Sequence, residues 1–215
     1  MNAIQLLKED HKKVRGLLAE LEATTPRAYK KRTILLASIA REIEMHTTLE
    51  EEIFYPAFKE AGKKADDDKL YFEALEEHRA AGSMVLPDLQ RTAPDSDRFS
   101  GRAKVLKELI EHHAEEEERE MFPRARELLT AAELRALGER MSERKQALVS
   151  AGKTTAAIKR TGDKIVGALS SMVGIDDELD DEDRGLGSNR RRAAAQRNGA
   201  RASRAASAGH PRARH

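Results

Sequence analysis

The chain has 215 residues, no cysteine, 36% charged and 4% aromatic residues and a formal net charge of +1; disulfides and thiolate metal sites are excluded, and one ordinary domain plus a tail fits the length. No apolar run approaches the ~20 residues that span a bilayer, and MNAIQLLKEDHKK lacks the basic-then-apolar order of a secretory signal, so a cytoplasmic protein without membrane contact is expected. The near-neutral total hides an asymmetry: residues 1–150 carry 26 Lys and Arg against 30 Asp and Glu, and residues 151–215 carry 13 against 8.

Abundant Ala, Leu, Glu, Lys and Arg, with no stretch that alternates like a strand, predict an all-α chain. Ile4, Leu7, His11, Val14, Leu18 and Leu21 recur at steps of three and four, one buried helical face, until Thr24-Thr25-Pro26. A second helix over about 26–59 carries Leu36, Ile39, Ile43, His46, Glu50 and Ile53 in one stripe; Pro56 should end or kink it, and Gly62 should turn the chain. A third, over about 66–91, aligns Tyr71, Ala74, Leu75, His78, Ala81, Val85 and Leu89. TAPDSD at 92–97 reads as a turn with Asp97 as helix cap.

The fourth helix presents Leu106, Leu109, Ile110, His113, Glu117 and Met121 before Pro123. Thr130 and Glu133 form a capping box for a fifth, through Leu134, Leu137 and Met141. Residues 1–150 thus form one domain. In 151–215 a short helix over 155–173 is followed by an acidic stretch and, from Arg184 onward, by nine arginines and no acid, a composition expected to be disordered. With no aromatic residue after Phe122 the basic tail cannot stack on bases; electrostatic contact with nucleic acid or an acidic protein is the most it offers.

His11 to His46 is 35 residues, and His78 to His113 is 35 again, which marks an internal duplication. HTTLEEEIFYPAF from His46 aligns without gaps on HAEEEEREMFPRA from His113, and KEDH ending at His11 matches LEEH ending at His78. Midpoints between successive histidines fall at Ala28, Gly62 and Asp95-Ser96, at or near the turns, so in an up-down-up-down bundle all four histidines share one layer. His46/Glu50 and His113/Glu117 are i,i+4 pairs on single faces. Two ionised carboxylates in that interior would be heavily penalised without a cation.

Imidazole and carboxylate donors without thiolate suit iron, manganese or zinc, and six side chains exceed one tetrahedral zinc but fit two bridged metals. Ferritin-like di-iron sites use Glu-x-x-His and four carboxylates, whereas the order here is His-x-x-x-Glu.

Over roughly residues 3–128 this pattern resembles the hemerythrin-like (HHE cation-binding) family, in which His followed by His-x-x-x-Glu occurs twice in a four-helix bundle. The resemblance implies a hemerythrin-like up-down-up-down four-helix bundle, to which the residues add an extra C-terminal helix and a disordered basic tail. It also implies two iron ions, manganese or zinc fitting less well, held by His11, His46, Glu50, His78, His113 and Glu117. Family members bind or react with dioxygen, peroxide or nitric oxide, or sense oxygen or iron. The resemblance leaves two alternatives: a redox protein with weak catalase-like or oxygen-reducing turnover, or a sensor without turnover that signals through the basic tail. Oxygen carriers of the family have a fifth histidine in an H-x-x-x-H pair; the residues four away from His78 here are Ala74 and Gly82. Water, Tyr29, Tyr71 or another glutamate is left to fill that position.

Other residues read more plainly. His112 is about 100° off the His113 face, which favours a structural role or support of a ligand over ligation. Glu51, Glu52, Glu115, Glu116 and Glu118 form a solvated face on which one or two orient a ligand histidine. Phe54, Phe58, Phe72, Met121 and Phe122 are core, and Lys8, Lys12, Lys13 and Arg15 are surface.

Overall fold

The computed structural model describes the backbone of residues 1–173 and side chains up to residue 152. The tail expectation for 174–215 lies outside the described residues. Every regular element among those described is helical. The first rod is α1 (Ala3–Glu22), and a short 3-10 turn, Pro26–Ala28, precedes the second. That second rod runs through α2 (Tyr29–Leu49), a π-helical turn at Glu50–Phe54 and α3 (Tyr55–Ala61). The third consists of α4 (Ala65–His78), a π-helical stretch Arg79–Val85 and α5 (Leu86–Gln90). The fourth consists of α6 (Asp97–Glu116), a π-helical turn Glu117–Met121 and α7 (Phe122–Leu128). Then α8 runs unbroken from Ala131 to Val173, so the short helix expected over 155–173 is the distal part of a longer one. Met1–Arg160 form one compact unit.

Caps match the sequence with one correction. Asn2 and Gln5 form a capping box on α1, and Thr130 and Glu133 form one on α8. At α6 the cap is Ser96, whose hydroxyl accepts from Phe99 N–H at 3.2 Å; Asp97 is already the first helical residue. The shorter hydroxyl side chain reaches the third amide from that extended position.

Pro56, expected to end or kink its helix, does not end it, and neither does Pro123. Each is the second residue of the α-helix after a π turn, and so is Pro87. A proline ring clashes with the carbonyl four residues back and has no N–H to bond it. The widened turns provide room, with Tyr55 N–H bonded to Glu50 C=O, Leu86 to Ala81 and Phe122 to Glu117.

α1 packs on α2 and on α6, α3 on the start of the third rod, and α5 on the start of the fourth, so the second to fourth rods run antiparallel in sequence. Two apolar clusters result. One joins Ile4, Leu7, Leu49, Phe54, Phe58 and Phe122 to Leu134, Leu137 and Met141 of α8; the other joins Val14, Leu18, Ile39, Ile43, Phe99 and Leu106. His11, between Leu7 and Val14 on α1, marks the polar layer that separates them. Phe72 is not core: it is 57% exposed, under the Lys59 ammonium at 5.0 Å, because Tyr71 holds the inward position against Tyr55.

Candidate metal centre

All six predicted site residues are buried, and the bundle brings them together. Donor atoms of His11, His46, Glu50, His113 and Glu117 lie within 4.8 Å of one another, and His78 joins them through His113 and Glu50. The histidines form two pairs: His11 Nε2 and His46 Nε2 are 3.1 Å apart, and so are those of His78 and His113. Each carboxylate reaches both pairs. Glu50 Oε2 is 3.1 Å from His46 Nε2 and 3.2 Å from His78 Nε2; Glu117 Oε2 is 3.2 Å from His11 Nε2 and 3.7 Å from His113 Nε2.

The outer ring nitrogens fix the tautomers. His11 Nδ1 donates to Glu118 Oε1 at 3.0 Å, His78 Nδ1 to Glu51 at 2.8 Å and His113 Nδ1 to Glu77 at 2.8 Å. A neutral ring that donates from Nδ1 has a bare lone pair at Nε2. In the His78/His113 pair two such lone pairs therefore face each other, with Glu50 Oε2 beside them, and this arrangement requires a cation or a proton between them.

Unpartnered atoms point the same way. Among the described residues the buried side-chain atoms without a hydrogen bond are both Glu50 oxygens, Glu117 Oε2, His46 Nδ1 and Asp10 Oδ2. Burial, then the nearby Glu117 charge, pushes the Glu50 carboxyl well above its ordinary range. Burial would do the same to Glu117, but His113, His11 and His46 outweigh it and hold that carboxyl down. Burial and then His11 lower the His46 imidazole, and although burial opposes it, Glu117 and Glu77 raise His113. The metal-free centre thus favours a protonated Glu50 beside an ionised Glu117, and a cation fits the same donors without that proton.

Two residues here escape the sequence pattern. Tyr55 is fully buried; its hydroxyl donates to Glu117 Oε1 at 2.9 Å, lies 3.2 Å from His78 Nε2, and its ring stacks on His78 at 5.4 Å. At about 100° per residue, Tyr55 in a plain α-helix would face half a turn away from His46. The π turn holds one residue more and rotates the residues downstream of it by about that angle, which brings Tyr55 inward. Of the tyrosines named for the open position, Tyr29 is 51% exposed and Tyr71 packs on Tyr55 instead. Phe122, the repeat counterpart of Tyr55, stacks on His11 at 5.7 Å, so the two halves differ by one phenolic oxygen. Glu77 is the second, directly preceding His78 and serving His113. Its counterpart Asp10, one methylene shorter, gives Oδ1 to Lys145 of α8 and leaves His46 Nδ1 unpartnered.

The basic residues expected at the surface prove partly structural, because Arg15 at 2.8 Å and Lys8 at 3.5 Å hold Glu118. Beside the four histidines lies a small cavity lined by Val14, Ile43, Ala81, Ile110 and Ala114 together with Thr47 and Glu77.

A buried cluster of imidazoles and carboxylates in an all-helical bundle is a cation-binding centre. Residues 2–125 match the hemerythrin HHE cation-binding domain, and the chain belongs to that family. It is 30% identical over 145 residues to the uncharacterised protein Rv2633c of Mycobacterium tuberculosis, covering 67% of this chain and 85% of that one. The crystal structure of an HHE cation binding domain-containing protein from Mycobacterium kansasii, an Rv2633c homologue, shares 31% identity and superposes with a TM-score of 0.61, over 70% of this chain and 89% of that one. A DNA nickase of Nostoc sp. is 26% identical over 132 residues, 61% of this chain but 35% of the nickase. Among the described residues no helix is long and apolar enough to cross a membrane.

Proposed function

We propose that this protein holds two iron ions and uses them to bind or reduce a small oxidant, dioxygen, peroxide or nitric oxide. The observation that carries the reading is the reach of each carboxylate to one histidine of each pair, the arrangement two bridged ions require. Glu50 and Glu117 would each reach both ions, His11 and His46 would hold one, and His78 and His113 would hold the other. Manganese and zinc suit the donors, but imidazole-rich carboxylate sites with an open position favour iron. When bound, a di-iron pair supplies up to two electrons to the oxidant.

The chain supplies the rest. Glu118, Glu51 and Glu77 lock three imidazoles in the tautomer that presents Nε2 inward. The small cavity offers room for a diatomic-sized molecule beside the histidines. Tyr55 O–H offers the one neutral hydrogen-bond donor close to the donor atoms, on the His78 side. Burial and Glu117 push that phenol well above its ordinary range, so it stays protonated and donates.

Rapid mixing of anaerobically iron-loaded protein with dioxygen or hydrogen peroxide tests the proposal. Consumption beyond one equivalent marks turnover, and a stable new absorption marks a carrier or sensor. No optical change with either oxidant contradicts it.

A further inference from the structure

Next to the buried centre, on the solvent side of α6, His112 Nε2 stands 3.5 Å from Glu77 Oε1 and 3.6 Å from Glu116 Oε1. One donor atom from each of the three residues falls within a 4.8 Å cluster. These separations are too long for hydrogen bonds, which run roughly 2.7–3.2 Å. They match ligands around a shared ion, because bonds of about 2.1 Å place tetrahedral neighbours about 3.4 Å apart. We propose that Glu77, His112 and Glu116 form a third, weaker site for a divalent first-row cation, from which the ion passes to the buried centre by way of Glu77.

The trio differs from an ordinary charged face in its partners. Glu118, which also holds a ligand histidine, is neutralised by Arg15 and Lys8. No Lys or Arg side chain among the described residues pairs with Glu77 or Glu116; Arg119, which senses the Glu116 charge, is hydrogen-bonded to Glu120. Two carboxylates and an imidazole with no cation between them form a built donor set.

The repeat supplies an independent comparison. The counterparts of Glu77, His112 and Glu116 are Asp10, Met45 and Leu49, all buried, with Asp10 held by Lys145 of α8 and Leu49 in the same cluster as Met141. The fifth helix closes that face in the first half. In the second half the face is open, and three ligand-type residues stand on it.

Exposure grades inward, from 62% at His112 through 31% at Glu116 to 22% at Glu77. Glu77 spans the gap: one oxygen faces His112, the other accepts from His113 Nδ1, and its side chain lines the cavity beside the four histidines. An ion leaving the trio therefore has a carboxylate that already lines the cavity beside the inner donors. The three side chains bind in the chemistry that suits iron(II), zinc or manganese, with water in the fourth position.

The proposal rests on the two-ion reading of the buried centre, and one titration separates them. Anaerobic iron(II) is added to metal-free full-length protein and to the His112→Ala/Glu116→Ala variant, and bound metal is counted before and after desalting. Filling of the buried centre is timed optically. Wild type is expected to hold a third ion that desalting removes. The variant is expected to lose that ion, to retain the two that survive desalting and to fill several-fold more slowly. Equal ion counts and equal filling rates in the two proteins, or no third ion in wild type, overturn the third site. Absence of the desalting-resistant ions from wild type overturns the buried-centre reading instead. Because both altered residues are solvent-facing, circular dichroism should be unchanged.

Discussion

One oxygen atom breaks the symmetry of the centre. Tyr55 and Phe122 occupy equivalent repeat positions and stack on His78 and His11, but only the former can donate a hydrogen bond toward the donor atoms. Tyr55→Phe should keep the fold and both metal ions, shift the optical spectrum of the loaded protein, and slow its reaction with peroxide several-fold. An unchanged spectrum and rate would place the phenol outside the chemistry. Replacing a bridge is more drastic. Glu50→Gln leaves one carboxylate for two ions, and metal retained after desalting should fall to one per chain or less, as metal analysis would read directly. Burial already holds the metal-free Glu50 carboxyl toward its neutral form, which the amide of Gln resembles, so the variant's apo form should melt no lower than wild-type apo protein.

The elements are fastened at places that can be tested separately. Gly138 of α8 lies under the N-terminus, where an added Cβ would stand 2.6 Å from Met1 C=O and 2.7 Å from Ala3 N. Alanine there gains about 1 kcal/mol of helix propensity but forces backbone apart at a cost of about 1–3 kcal/mol. Gly138→Ala should therefore lower the melting temperature, and a rise would show that the N-terminus yields freely. Arg124 grips Asp67 with two nitrogens at 2.6 and 3.1 Å, tying α7 to α4. Arg124→Ala should destabilise by roughly 1.5–3 kcal/mol, the scale of hydrogen bonds to charged groups. That ion pair, with the Lys63 and Lys64 amides, lowers the Asp67 carboxyl from 3.8 to about 2. A depressed carboxyl stabilises above its unfolded value and stops doing so as pH falls through its folded value. The difference between wild type and Arg124→Ala should accordingly be full above about pH 4 and vanish toward pH 2, as denaturant melts across that range would show.

At the scale of the whole molecule, the duplicated spacing made most of the architecture legible. Four helices, their turns and six inward side chains emerge from the 35-residue repeat and the apolar stripes, because those depend on a period the chain keeps. The illegible part lies beyond the π turns, where the period slips by one residue. Tyr55 falls off the apolar stripe for that reason, and Pro56, expected to end or kink its helix, sits inside a continuous rod. Glu77 was missed for a different reason: it flanks one histidine in sequence and serves another across the bundle, which no local pattern records. Phe72 shows the limit of composition, since its neighbour Tyr71 took the inward place.

On the proposed reading, two ions would bind the folded donors and not the open chain. Free metal about a thousandfold above Kd should stabilise by about 4 kcal/mol per site, and a chelator should lower the melting temperature accordingly. The ions themselves are therefore the quantity to measure. Full-length protein loaded anaerobically with iron(II), desalted and analysed for metal should contain two irons per chain. Fewer than about one per chain would contradict a di-iron centre and leave the buried histidines and glutamates without the cations their arrangement requires.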